Sequence, residues 1–109
     1  MQNTRKISLA AVTLTAAMAL AGCQSGEDRA EGHFQSAMEL MEAGDFDRAR
    51  VEFLNVFQNN GLHREARSEF AAMQRARGEL QESYSQYLRL VEQYPDDLEG
   101  RLALAEMAL

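Results

Sequence analysis

The chain is poor in the residues that most often betray a fold or a chemistry. Its 109 residues include no tryptophan, one proline (Pro95), one cysteine (Cys23) and two histidines (His33 and His63). A lone cysteine excludes an intramolecular disulfide, and with it the small secreted scaffolds that depend on such bridges. With one proline and 46% hydrophobic residues, the composition suits helices better than strands. Positive charge is scarce as well. Arg5 and Lys6 are the only charged residues among the first 22, so the remainder carries nine basic and 17 acidic residues, a net charge of −8. Such a surface repels nucleic acid and anionic lipid, because phosphate contacts need a basic stripe. All nine of those basic residues are arginines, and no sequence pattern accounts for it. There is no nucleophile elbow or glycine-rich phosphate loop, and the histidines fall outside any metal-ligand spacing. Pairs such as Glu39/Glu42 and Glu65/Glu69 have the spacing of solvated helix faces. No enzyme activity, cofactor or metal is therefore expected.

What is present begins with a short positive segment, Met1-Gln-Asn-Thr-Arg-Lys6, followed by uncharged residues from Ile7 to Leu20. That run of 14 falls short of the roughly 20 residues a membrane-spanning helix needs and fits the apolar region of a signal peptide. It closes on Leu20-Ala21-Gly22-Cys23, which resembles the bacterial lipobox. Small residues before the cut fit a narrow protease site, and a thiolate is the nucleophile that accepts a diacylglyceryl group. The resemblance implies a lipoprotein signal peptide at 1–22, lipidation of Cys23 and a mature chain beginning there. The alternative is an N-terminal anchor helix with an incidental cysteine. Two or three acyl chains hold a protein at a bilayer far more firmly than one. Gln24 stands where an aspartate would favour inner-membrane retention, so the expected location is the inner leaflet of the outer membrane, facing the periplasm. Residues 23–29 hold no large apolar residue to bury and are expected to be a short tether.

From Ala30 the helical period takes over. Phe34, Ala37, Met38 and Met41 recur at i, i+3, i+4 and i+7, one face of an amphipathic helix. Gly44 ends that helix as a left-handed residue, Asp45 caps the next, and Phe46, Ala49, Phe53, Val56 and Phe57 form its stripe before Asn60-Gly61. Gly78 lies 34 residues after Gly44, and the surrounding types repeat: Leu80, Ser83, Tyr87 and Leu90 match Phe46, Ala49, Phe53 and Val56. Ala66, Phe70, Ala71 and Met73 mark the preceding helix. Pro95 cannot continue the following one, and Asp96 with Glu99 forms a capping-box-like start for the last, which carries Leu102, Leu104, Ala105 and Ala108. One helical hairpin per fixed period is the mark of a stacked repeat. The pattern resembles the tetratricopeptide repeat over residues 30–109. It departs from it at Ser83 and Gln74, at the missing proline after Asn60, and at His33, where the repeat often has tryptophan. The resemblance implies an all-α, right-handed α-solenoid of about two and a half hairpins: 30–63, 64–97 and a partial unit at 98–109. The last unit reads as the start of a longer array, as a cap on a five-helix stack, or as an apolar edge for self-association.

In this family the first helix of each pair lines a concave groove. Carried over, the groove comprises Glu31, Phe34, Met38, Met41 and Glu42, then Glu65, Ser68, Ala72 and Arg75, then Glu99, Leu102 and Glu106. An apolar floor with an acidic border suits a peptide with apolar anchors and some positive charge; the competing reading has Phe34 and Met38 filling the hairpin core. The lysine and asparagine clamp by which one subgroup grips C-terminal carboxylates is missing, with Phe34, Met38 and Glu69 in the matching places. The function expected is a lipid-anchored scaffold that binds another envelope protein, in assembly or export of pilus, outer-membrane protein or exopolysaccharide. The rivals are a self-associating structural spacer and a regulatory subunit of a cell-wall enzyme.

Overall fold

The computed structural model describes residues 25–109, and every regular element among them is an α-helix: α1 (Gly26–Glu42), α2 (Phe46–Asn59), α3 (Arg64–Ala76), α4 (Leu80–Gln93) and α5 (Leu98–Met107). The expected signal peptide and Cys23 lie outside the described residues. None of the described helices is long and apolar enough to cross a membrane.

α1 starts four residues before the apolar periodicity does. Ser25 caps it, its Oγ accepting from the Asp28 amide at 3.1 Å, and Glu27 and Asp28 lie in the first turn, where acids complement the helix dipole. Residues 26–29, expected as tether, are therefore its first turn: capping chemistry extends a helix beyond the reach of its buried stripe.

The turns repeat bond for bond. After α1, the Gly44 amide donates to Met41 and the Asp45 amide to Leu40. After α3, the Gly78 amide donates to Arg75 and the Glu79 amide to Gln74, each 34 residues on. This is the two-bond closure that needs a left-handed residue at its centre, and Gly44 and Gly78 supply it at φ +76° and +78°. Asp45 then caps α2 by accepting from the Arg48 amide. The intervening turns match too: His63 bonds back to Asn60 and Asp97 to Tyr94 through their amides. Both residues cap helices, His63 Nδ1 accepting from Ala66 at 3.1 Å and Asp97 Oδ1 from Gly100 at 2.8 Å. The cap of α5 is thus Asp97 and not Asp96. The turn from Tyr94 through Pro95 makes Asp97 the last non-helical residue and places Glu99 one position too early for a capping box.

Ala30, Phe34 and Ala37 of α1 meet Ala49, Phe53 and Val56 of α2 and Ala66, Phe70 and Met73 of α3 in one buried cluster, where the Phe53 and Phe70 rings stack at 5.2 Å. Ala71 on α3 joins Tyr87 and Leu90 of α4 and Ala103 of α5 in a second. α3 thus belongs to both clusters and ties the two helix pairs together. Ala49 and its counterpart Ser83 are both fully buried, because small residues let paired helices approach closely. Ser83 satisfies its hydroxyl by donating to the Ala71 carbonyl at 2.7 Å. Gln74 is buried as well, and its side-chain carbonyl has no partner among the described residues.

Four of the nine arginines find their explanation in the seams between helices. Arg50 lies over Phe70, Arg64 over Tyr94, Arg67 over Phe57 at 3.9 Å and Arg77 over Phe46 at 4.8 Å. The same side chains reach across the turns: Arg50 bonds Glu79, and Arg64 Nε donates to Asp97 at 2.8 Å. A planar guanidinium stacks on a ring and donates at its edge simultaneously, which a lysine ammonium does not.

Candidate functional site

α1, α3 and α5 converge on a cleft of about 440 Å³ lined by Phe34, Arg64, Glu65, Ser68, Glu69, Asp97 and Glu99. Phe34 is buried, its ring held against the His63 imidazole at 4.9 Å, so only a margin of it forms the cleft floor. Glu65, Ser68 and Glu69 lie one turn apart on α3, and Glu99 occupies the first turn of α5. Arg64 is tied to Asp97 at the rim.

A second cleft of about 380 Å³ shares Arg64 and Glu65 with the first and adds Glu27, Glu31, Asn60, Leu62 and His63. Here the Glu31 carboxylate meets His63 Nε2 at 3.0 Å and accepts from Gln35 at 2.9 Å. The His63 bond, followed by the Gln35 bond, lowers the Glu31 pKa. His63 Nδ1 accepts from a backbone amide, so Nε2 carries the proton and donates to Glu31. The histidine is a structural link between the start of α3 and α1. His33 serves similarly, its Nδ1 meeting Glu52 on α2 at 2.7 Å.

Charge in the main cleft is uneven. Asp97 has a cation beside it, whereas Glu65, Glu69 and Glu99 form no ion pair among the described residues. Tyr87 of α4 registers this field. Its hydroxyl pKa is raised by burial first and then by Glu99, with Glu69 and Glu106 adding to it and Arg75 opposing. Among the described residues, no group of three or more His, Cys, Asp or Glu is placed to hold a metal ion.

The structure thus brings together Phe34, Glu65, Ser68 and Glu99 of the residues expected in a groove, and Glu31 lines the second cleft beside them. Met38 and Met41 are half-buried against the first core cluster and line neither cleft. Glu42 is exposed at the end of α1, and Ala72 is half-buried. Arg75 is bound to Glu106 at 3.0 Å and borders a different cleft, between α4 and α5. The Arg64–Asp97 pair is an addition that apolar periodicity does not reveal, since its partners come from separate turns, and the cap made by His63 comes from a side chain outside the usual capping residues. Compared with the profiles of known protein families and with curated proteins, the chain finds no match.

Proposed function

We propose that the chain is a lipid-anchored scaffold of tetratricopeptide type, a short solenoid that binds an extended or helical segment of another envelope protein. The single observation that carries this reading is the α1–α3–α5 cleft, where the Phe34 margin lies beneath three glutamates without ion-pair partners among the described residues. The segment it fits carries an apolar anchor flanked by lysine or arginine, and the chain acts by binding and not by catalysis. The 34-residue recurrence of glycine turns, caps and small buried residues supports the repeat assignment. Leu20-Ala-Gly-Cys23 supports the lipid anchor, and Gln24 after it supports the inner leaflet of the outer membrane, facing the periplasm. A self-associating spacer is the second reading, favoured by the exposed Leu80, Tyr84 and Leu88 on α4.

Photo-crosslinking distinguishes the two. A photoreactive residue at Ser68 should capture a discrete envelope protein, one at Gln58 on the exposed side of α2 should not, and Glu65→Lys with Glu69→Lys should abolish capture without lowering the melting temperature. Equal capture from both positions, or capture that survives the charge reversal, overturns the cleft assignment. A product that is only the chain's own dimer favours the spacer.

A further inference from the structure

Ser25 caps α1 two residues after Cys23, so at most about 7 Å of chain separates that cap from the cysteine. The start of α1 is itself pinned. A Cβ at Gly26 would stand 2.9 Å from the Asn59 carbonyl oxygen, so α1 begins in close contact with the end of α2. The α2–α3 turn lies beside them, with Asn60 and Leu62 lining the same cleft as Glu27 from the first turn of α1. The Gly44 and Gly78 turns form the opposite end, where Arg50 bonds Glu79 and Arg77 faces Asp47. Leu62 is 62% exposed, on a turn braced from beneath. Its amide donates to Asn60 Oδ1 at 3.1 Å, and its carbonyl accepts from the Tyr94 hydroxyl. The Gly61 carbonyl accepts from Arg67 Nη2 at 3.0 Å and from Gln93 Nε2 at 3.1 Å.

We propose that this end of the stack is a membrane-contact surface, with Leu62 seated in the interface of the bilayer that holds Cys23; the inference rests on the lipid anchor of the proposed function. Two features single out the bilayer as the occupant. The first is reach, since so short a connection keeps the start of α1, and the turn beside it, at the headgroups. The second is the bracing of the turn. Lipid offers backbone polar groups no partner, so a side chain enters it most readily from a turn whose amide and carbonyls are already bonded within the protein. Charge then selects the lipid. Glu27 and Glu31 line the cleft that Leu62 borders, so they repel anionic headgroups and meet the ammonium of zwitterionic ones. Acyl chains alone would leave the domain free to rotate about its attachment. The seated leucine fixes it, with the helices rising from the bilayer and the Gly44 and Gly78 turns outermost.

The chain has no tryptophan, so a single one introduced by substitution reports alone. The mature lipidated protein, its acylation checked by mass spectrometry, is reconstituted into phosphatidylcholine vesicles with brominated acyl chains. Fluorescence of Leu62→Trp should be strongly quenched by the bromines. That of Asp47→Trp, at the opposite end and 95% exposed, should not. Equal quenching at both positions, or quenching at neither, overturns the contact while the protein stays on the vesicles and the anchor stands. Leu62→Asp tests the native side chain. Leu62 is exposed, so the melting temperature should hold, whereas transfer of the protein to acceptor vesicles should be about tenfold faster once one seated leucine is lost. An unchanged transfer rate also overturns the proposal. A mass without acyl groups is a different failure, which removes the anchor reading and this proposal with it.

Discussion

Gln74 is the most exposed point of the reasoning about repeats, although it is one of the least exposed side chains. It is 2% accessible on the face of α3 that meets α4, and its Oε1 has no hydrogen-bond partner among the described residues. One period earlier the same place in the hairpin holds Leu40, packed against the first core cluster. Gln74→Leu should therefore stabilise the protein. Leaving a buried acceptor unpaired costs about 1–3 kcal/mol, and a leucine of nearly equal volume also gains transfer energy. The branched side chain must still settle among neighbours shaped by glutamine, which offsets part of that gain. A net stabilisation of about 1–2 kcal/mol is expected, a rise in melting temperature of roughly 5–15 °C for a domain of this size. Urea titration followed by circular dichroism should show a higher midpoint with an unchanged slope. Gln74→Glu should do the reverse, since it buries a carboxylate without a cation. A Gln74→Leu variant less stable than the wild type would refute the reasoning: the amide would then be making interactions worth more than its desolvation.

Gly44→Val should destabilise by about 1–2 kcal/mol in the same titration, because a β-branched residue is forced to φ +76°. A Cβ there meets nothing within 4 Å, so the loss is conformational and Gly44→Asn should recover much of it. Glu79 has its pKa lowered by its bond to Arg50 first and by Arg77 second. A depressed carboxylate contributes stability above the ordinary glutamate value of 4.5 and loses it as pH falls through the lower folded value. The stability gap between wild type and Glu79→Gln should accordingly be full at neutral pH and close below pH 4.5; a gap that widens in acid contradicts the assignment. Cys23→Ser should end incorporation of labelled fatty acid, and labelling equal to wild type would remove the lipid anchor from the proposal.

The turns were legible because a glycine in left-handed space and a fixed 34-residue offset are constraints of the backbone, visible wherever the residue types allow them. The start of α1 was not. Apolar periodicity reports burial, whereas Ser25, Glu27 and Asp28 begin the helix through capping and dipole effects that bury nothing. Asp97 could not be told from Asp96 for a related reason, since the choice depends on which amide bonds back to Tyr94. On α1, Phe34, Ala37, Met38 and Met41 share one stripe, and periodicity defines the stripe without saying which part of it neighbouring helices use. The first core cluster covers Ala37 and most of Phe34 and takes Met38 and Met41 as partial cover. The cleft instead draws on Glu65, Ser68, Glu69 and Glu99, the polar residues beside the stripes.

The arginines and the cleft follow from one allocation of charge. Arg50, Arg64, Arg67 and Arg77 are drawn into seams between helices, where each lies over an aromatic ring. Arg50, Arg64 and Arg77 also pair with an acid there, while Arg67 donates to Gln86 and the Gly61 carbonyl. Burial, with Arg89 nearby, lowers the Arg67 pKa to about 10, yet that value leaves it charged at neutral pH. The cations thus hold neighbouring hairpins in register. Of the acids that form no ion pair among the described residues, Glu65, Glu69 and Glu99 sit together where α1, α3 and α5 open to solvent. A ring-stacking cation in the seam and, among the described residues, an anion without an ion pair at the mouth are two consequences of the same stacking. Under the proposed function, the basic flanks of a bound segment would meet the glutamates that the hairpins leave without an ion pair among the described residues.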